Sequence, residues 1–388
     1  MLSVAKTEFD FDELIDRRGT AALKWDKYAG RDVIPMWVAD MDFRSAPAII
    51  EALKRRAEHG VFGYTDPPGE LNDVIVAALE RDHGWKIRHE WLIWLPGLVS
   101  GINLVCRAIG EDGDDVITAV PVYHPFLSGP VHQRRSVTRV PMQLNGLRWV
   151  WDLGRLEAAI TPRTKLLLLC NPHNPVGRVF TRHELTDLAR IAEKHDLAIS
   201  SDEIHCGLVL DADKPHVPIA TLGEDIAART ITLMSASKTF NLPGLGCAFA
   251  VVPNPQLRAR LSLAAAGSVP RVNAMGFVAT LAAYRDGMPW QRALVDYLRM
   301  NRDLVIHRIS GISCLSITPI EATYLAWIGI DADTLPDAAP FFESAGVGLY
   351  DGRVFGTEGY VRLNFGCPRS QLERGLDRMR RAVRTLRP

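Results

Sequence analysis

Lys238 stands four residues past an apolar, β-prone run, Thr230-Ile-Thr-Leu-Met234, within Ser235-Ala-Ser-Lys-Thr-Phe-Asn-Leu-Pro-Gly244. A lysine there sits at the mouth of a sheet, where its amine is partly desolvated. Desolvation favours the neutral, nucleophilic form that makes a Schiff base with an aldehyde. The flanking hydroxyls of Ser235 and Ser237 can donate to a nearby phosphate. Pyridoxal 5′-phosphate is the aldehyde-bearing phosphate that enzymes hold on a lysine. This segment alone fits a plain surface lysine equally well, so the reading rests on what the other strand ends carry.

In an open parallel sheet, ligands collect at the carboxyl ends of the strands. One apolar run ends at Cys170 and passes into Asn171-Pro-His-Asn-Pro-Val-Gly177, a rigid turn that displays Asn174. The run 197–201 delivers Asp202-Glu-Ile-His205. Asn174 and Asp202 are 28 residues apart, and Asp202 and Lys238 are 36 apart, each spacing fitting one strand-plus-helix unit. A pyridine ring withdraws electrons best when its nitrogen is protonated, and a carboxylate such as Asp202 keeps that proton on. Asn174 can donate to a phenolate oxygen, and His205 could reach the same region, although a lone histidine more often satisfies a structural role. Tyr123, in Pro121-Val-Tyr-His-Pro125, follows a strand end and could stack on a ring face. The phosphate wants free backbone N–H groups at a helix start. Pro96-Gly-Leu-Val-Ser-Gly101 before the apolar stretch 102–109 offers them at Leu98 and Val99.

The elements that must position these groups alternate along the chain. Ser45-Ala-Pro47 opens a helix with an N-cap and an early proline, with Ile49, Ile50, Leu53 and Ala57 on one face, and Gly60 closes it. A second helix carries Leu71, Val74, Ile75, Ala78 and Leu79 and stops at Gly84. Strands are predicted at 115–120, 165–170, 197–201 and 230–234, and Thr181-Arg-His-Glu184 forms a capping box. Near-continuous apolar strands between amphipathic helices give an α/β fold with a mostly parallel sheet covered on both faces. After about residue 267 the pattern changes, and 288–310 reads as one long bridging helix. Strands at 323–328 and 360–365 and a helix capped by Ser370-Gln-Leu-Glu373 then form a smaller α+β unit. The expected organisation is a segment 1–44 packing on the small unit, a large domain 45–287 and a small domain 288–388.

Composition narrows the class. At 388 residues, 47% hydrophobic and 23% charged, the chain has the profile of a soluble globular enzyme of two or three domains. Lys+Arg and Asp+Glu both number 45, so no net field favours nucleic acid or an anionic membrane. Lys6 and the acidic run at Asp10, Asp12 and Glu13 precede no apolar signal region, and no run approaches a membrane span. Six scattered cysteines without a C-x-x-C pair suggest reduced, buried residues in the cytoplasm, with no zinc site. Motifs of zinc hydrolases, P-loop proteins and dinucleotide-binding dehydrogenases are absent from the sequence.

The chain resembles the fold type I pyridoxal-phosphate enzymes of the class I/II aminotransferase superfamily, and within them the MalY/PatB branch of cystathionine β-lyase-like C–S lyases. The resemblance runs nearly end to end. It rests on Arg17-Arg-Gly-Thr20 with Lys24-Trp-Asp26, Pro35-Met-Trp-Val-Ala-Asp-Met-Asp-Phe43, Gly63-Tyr-Thr-Asp-Pro-Pro68 and Pro121-Val-Tyr-His-Pro-Phe126. Ser201-Asp-Glu-Ile-His205, Ser237-Lys-Thr-Phe-Asn-Leu242 and Asn364-Phe-Gly-Cys-Pro-Arg369 complete it. It implies a seven-stranded large-domain sheet, with Lys238 as the cofactor-bearing lysine and Asp202 as partner of the ring nitrogen. It places Asn174 and His205 near the phenolate oxygen and makes Tyr123 the stacking ring. Arg362 becomes the clamp on the substrate carboxylate, with Asn174 and Tyr123 beside it. Tyr64 would reach the phosphate of a neighbouring subunit's cofactor, which implies a homodimer. The implied reaction is α,β-elimination of an S-substituted L-cysteine to thiol, pyruvate and ammonia. Transamination, or another outcome in specialised biosynthesis, would use the same residues. Three departures stand out, one being the segment Leu242-Pro-Gly-Leu-Gly-Cys-Ala248, with a proline and small residues where the branch more often shows alanine and then a polar residue. Gly246 occupies the position, eight residues past the lysine, where many aminotransferases carry a phosphate-binding arginine. Cys206-Gly207 follows His205 in place of a more usual acidic or polar pair.

Overall fold

The computed structural model describes residues 9–386. Residues 1–8, with Lys6 and the start of the 1–44 segment, lie outside the described residues. Seven strands build the central sheet: β1 (Leu92–Leu95), β2 (Asp115–Val120), β3 (Ser136–Pro141), β4 (Thr164–Cys170), β5 (Ala198–Asp202), β6 (Thr230–Met234) and β7 (Ala248–Val251). Their order is β1-β7-β6-β5-β4-β2-β3, and only β7 runs against its neighbours. Strands β2, β4 and β6 are buried almost throughout because helices cover both faces of the sheet. In register, Cys170 lies opposite Asp202, and Asp202 opposite Leu233, so the ends of three strands meet at one level.

Helices α1 (Pro47–Glu58), α2 (Gly69–His83), α3 (Leu98–Ala108) and α4 (Arg182–Lys194) belong to this layer, and α5 (Met288–Ser310) leaves it. Thr181 and Glu184 form the expected reciprocal cap on α4. Beyond α5, β8 (Leu315–Ile317), β9 (Leu325–Ile330), β10 (Tyr350–Asp351) and β11 (Tyr360–Asn364) form an antiparallel sheet ordered β8-β9-β11-β10, and α6 (Arg369–Arg384) follows. Residues 34–43 run alongside as a strap. Ile34 and Pro35 pair with Val347 and Gly348, and the Asn364 side chain donates to the carbonyls of Val38 and Asp40. A buried cluster of Arg17, Lys24, Asp40 and Asp42 anchors the strap, with Lys24 Nζ 2.8 Å from Asp42.

Several local expectations need correction. Ser45 caps nothing: its hydroxyl donates to the Phe240 carbonyl, Ala46 is the N-cap, and α1 buries Ile49 and Ala52. Ser370 lies inside α6, which starts after Pro368 without a side-chain cap. The strand expected from 323 starts at Leu325, because Thr323 has a positive φ of 74° and its hydroxyl accepts from Leu325 N–H. The helix expected at 102–109 starts earlier, at Leu98, straight after Gly97. All six cysteines are free thiols, five of them buried. Among the described residues no helix is long and apolar enough to cross a membrane.

Candidate active site

Parallel strands point their carboxyl ends at one place, so side chains distant in sequence arrive together. A cavity of about 560 Å³ lies there. It is lined by Leu98, Val99, Tyr123, Asn174, Asp202, His205, Ser235, Ser237, Lys238 and Arg362. Tyr64 is the exception. It is fully exposed on the protomer and does not line the cavity.

Lys238 Nζ donates to the carbonyl of Ala39, on the strap, at 2.5 Å. Burial lowers its pKa to about 8, against the opposing pull of Asp40. Burial pushes the Asp202 carboxyl up to about 7, although Ile204 N–H and Lys238 hold it down and Glu203 raises it further. A buried carboxyl so placed lacks a full cationic partner, and a protonated pyridine nitrogen would supply one. His205 is buried, is driven to about 3 by burial and the nearby Lys238 and Arg362 charges, and is therefore neutral. Its Nδ1 has no hydrogen-bond partner among the described residues.

Arg362 comes from β11 and is fully buried. It donates to Asn174 Oδ1 at 3.0 Å and to the Trp37 carbonyl at 2.8 Å, and it stacks over Tyr350 and Phe355. Its Nε is unpartnered among the described residues. Burial lowers its pKa to about 10, so it stays cationic.

The first turn of α3 opens on the same cavity, and its leading N–H groups have no partner within the helix. Ser235 spends its hydroxyl proton on the Cys247 carbonyl at 2.7 Å and accepts from Ser237 N–H, which leaves the Ser237 hydroxyl facing the cavity. Gly246 has a φ of +55°, and a Cβ there would stand 3.0 Å from the Pro96 carbonyl. No side chain fits where an arginine would otherwise reach in.

Sequence reasoning missed four contributors: Trp37 and Ala39 on the strap, His124 beside Tyr123, and Tyr350 on β10. The dense run Pro35-Met-Trp-Val-Ala-Asp-Met-Asp42 was the available signal for the first two, since aromatic and acidic residues cluster there without any helix or strand period.

Known proteins share the sequence pattern and the fold. The family model for aminotransferase class I and II matches residues 31–379. Cystathionine beta-lyase PatB of Bacillus subtilis (strain 168) is 35% identical over 386 residues, 96% of this chain and 100% of PatB. Protein MalY of Escherichia coli (strain K12) is 35% identical over 398 residues, 98% of this chain and 100% of MalY. The crystal structure of OvoB matches with a TM-score of 0.94 at 47% identity, covering 97% of this chain and 99% of that one. Cystalysin from Treponema denticola, which contains a pyridoxal 5′-phosphate cofactor, also gives a TM-score of 0.94, at 30% identity over 98% of this chain and 100% of its own. Matched along most of its length in sequence and in backbone, the chain belongs to the aminotransferase class I and II family.

Proposed function

We propose that this protein is a pyridoxal-phosphate-dependent C–S lyase that cleaves S-substituted L-cysteines to a thiol, pyruvate and ammonia. The observation that carries it is the convergence of Lys238, Asp202, Asn174 and Arg362 on one cavity. The relatives named cystathionine beta-lyase and the C–S lyase structure from Staphylococcus hominis support the same reading. The donor set suits the cofactor: an amine with a lowered pKa, a buried carboxyl wanting a cation, and a helix start for a phosphate.

Lys238 would hold the aldehyde carbon, Asp202 the ring nitrogen, and Asn174 and His205 the phenolate oxygen. Tyr123 would cover one ring face. The phosphate would lie on the Leu98 and Val99 N–H groups and the Ser237 hydroxyl, with Ser235 bracing Ser237 from behind. When bound, the cofactor withdraws electrons from the substrate Cα and so makes its proton labile. Arg362, on releasing Asn174, would grip the substrate carboxylate bidentately and so set the orientation of the Cα bonds in the cavity. Once the substrate amine has displaced it from the aldehyde carbon, the freed Lys238 Nζ would take the Cα proton, the β-thiolate would leave, and water would release the remaining three-carbon fragment as pyruvate and ammonia. The aromatic side chains of Trp37, Tyr123 and Tyr350 keep bulk water from the reacting carbon.

The remaining readings follow from the same frame. The exposed Val61, Phe62 and Tyr64 support a homodimer in which Tyr64 reaches the partner's phosphate site. Residues 45–287 would form the cofactor-bearing domain, and 288–388, joined through α5, the small domain that brings Arg362. Free cysteines throughout suit a reducing, cytoplasmic setting. The test is direct. Purified protein supplied with pyridoxal 5′-phosphate and cystathionine or another cysteine S-conjugate should release free thiol and pyruvate in equal amounts. Keto-acid exchange without thiol would instead mark a transaminase.

A further inference from the structure

Glu203 follows Asp202 directly and is wholly buried. Side chains alternate along an extended chain, so Glu203 turns to the opposite face of the sheet from the cavity that Asp202 lines. There its carboxylate faces His216 Nε2 at 2.7 Å, which fixes that nitrogen as the proton donor. It also accepts from the Ser201 hydroxyl at 2.8 Å and from Ile219 N–H at 3.3 Å. His216 is buried as well, and its ring meets the edge of His83 at 5.2 Å between centroids. Both imidazoles line a second cavity of about 640 Å³ behind the catalytic one. No step of the elimination uses either Glu203 or His216.

We propose that Glu203 and His216 are positioning residues, a buried hydrogen-bonded pair that clamps the 201–205 segment from behind and so fixes Asp202 and His205 against the cofactor. The inference rests on the C–S lyase reading above. The clamp joins three points: Ser201 before Asp202, and His216 and Ile219 from the loop that leads to the next helix. Among the described residues the Asp202 side chain accepts one hydrogen bond, from Ile204 N–H, so its orientation depends on the chain around it. Asp202 feels Lys238 on the cofactor side and Glu203 on the other. His83 and His216 interact behind the sheet, and Asp82 acts on both His83 and Cys206. Without its histidine, Glu203 would be a buried acceptor short of a donor, directly beside the carboxylate that must hold the ring nitrogen.

The experiment separates positioning from mere stability. Replacing a buried hydrogen-bonded pair by apolar residues of similar shape can be nearly neutral for folding. A Glu203→Leu/His216→Phe double variant should therefore stay folded, its melting temperature lowered by the lost acceptor for the Ser201 hydroxyl and Ile219 N–H. Its coenzyme dissociation constant should rise about tenfold or more, and kcat for thiol release should fall about tenfold with KM unchanged, the loss expected for one hydrogen bond to a charged group. The visible circular dichroism of the bound coenzyme should weaken in parallel. A stable double variant with wild-type coenzyme affinity and dichroism overturns the proposal. His216→Gln gives the second measurement, because its amide still donates to Glu203. It should keep wild-type affinity, and a folded His216→Gln protein that loses coenzyme as the apolar pair is expected to would equally overturn the clamp. Wild-type protein that takes up no coenzyme defeats the function itself, whereas normal uptake with unaltered variants defeats only the pair.

Discussion

Lys238 owes its chemistry to burial, and the sign of that effect can be measured. Only the neutral amine attacks an aldehyde, and its fraction grows with pH until the pKa is passed. Capture of pyridoxal 5′-phosphate by apo-protein should quicken about tenfold per pH unit up to about 8 and level off above it, as followed by stopped-flow absorbance. A plateau starting only near pH 10 would mean the lysine is solvated. Asp202→Asn keeps shape and removes charge, so kcat should fall at least about a hundredfold while the protein stays folded. Lys238, Asp202 and Asn174 were legible in the sequence because each follows an apolar strand, and a parallel sheet brings strand ends together whatever lies between. Trp37, His124 and Tyr350 were not. Trp37 and Tyr350 meet 5.4 Å apart across 313 residues of chain, and no local pattern encodes that contact.

At the level of elements, two features invite tests. Gly246 is bare because the Pro96 carbonyl, just before α3, leaves no room for a Cβ. Gly246→Arg, which restores the wider superfamily's pattern, should weaken coenzyme binding, and tighter binding in a fluorescence titration would refute this steric account. Glu321, ahead of β9, pairs with Arg178 at 3.1 Å, and both side chains are buried. Arg178 follows the turn that displays Asn174, so this ion pair ties that turn to the small sheet. Glu321→Ala leaves Arg178 with the Glu184 carboxylate and the carbonyls of Trp149 and Val179, and should cost about 3–5 kcal/mol in urea unfolding. Periodicity placed α5 to the residue and the cap of α4 correctly, since both depend on near neighbours. It failed at Thr323 and Ser370, where a left-handed turn and a proline decide the boundary ahead of the pattern.

For the whole molecule, the exposed Tyr64 gives the sharpest prediction. If it serves the partner's site, Tyr64→Ala and Lys238→Ala proteins, each nearly inactive, should regain activity when mixed and allowed to exchange subunits. Random exchange makes half the dimers mixed, each with one intact site, so about a quarter of wild-type activity should return. No recovery in a mixture that light scattering proves dimeric would place Tyr64 outside any site. The overall architecture was the most legible level, because the alternation of strands and helices leaves few ways to cover a parallel sheet. The strap was the least legible, for its bonds run to residues more than 300 positions away. Its carbonyls at Trp37 and Ala39 hold the arginine and the lysine of the site, and the neighbouring Met36, Val38 and Asp40 are bonded to Gly348 and Asn364. During synthesis on the ribosome, then, the amino-terminal stretch must wait for almost the last strand to emerge. A nascent chain stalled before Asn364 would carry every cofactor contact of the large sheet and still lack a finished catalytic centre.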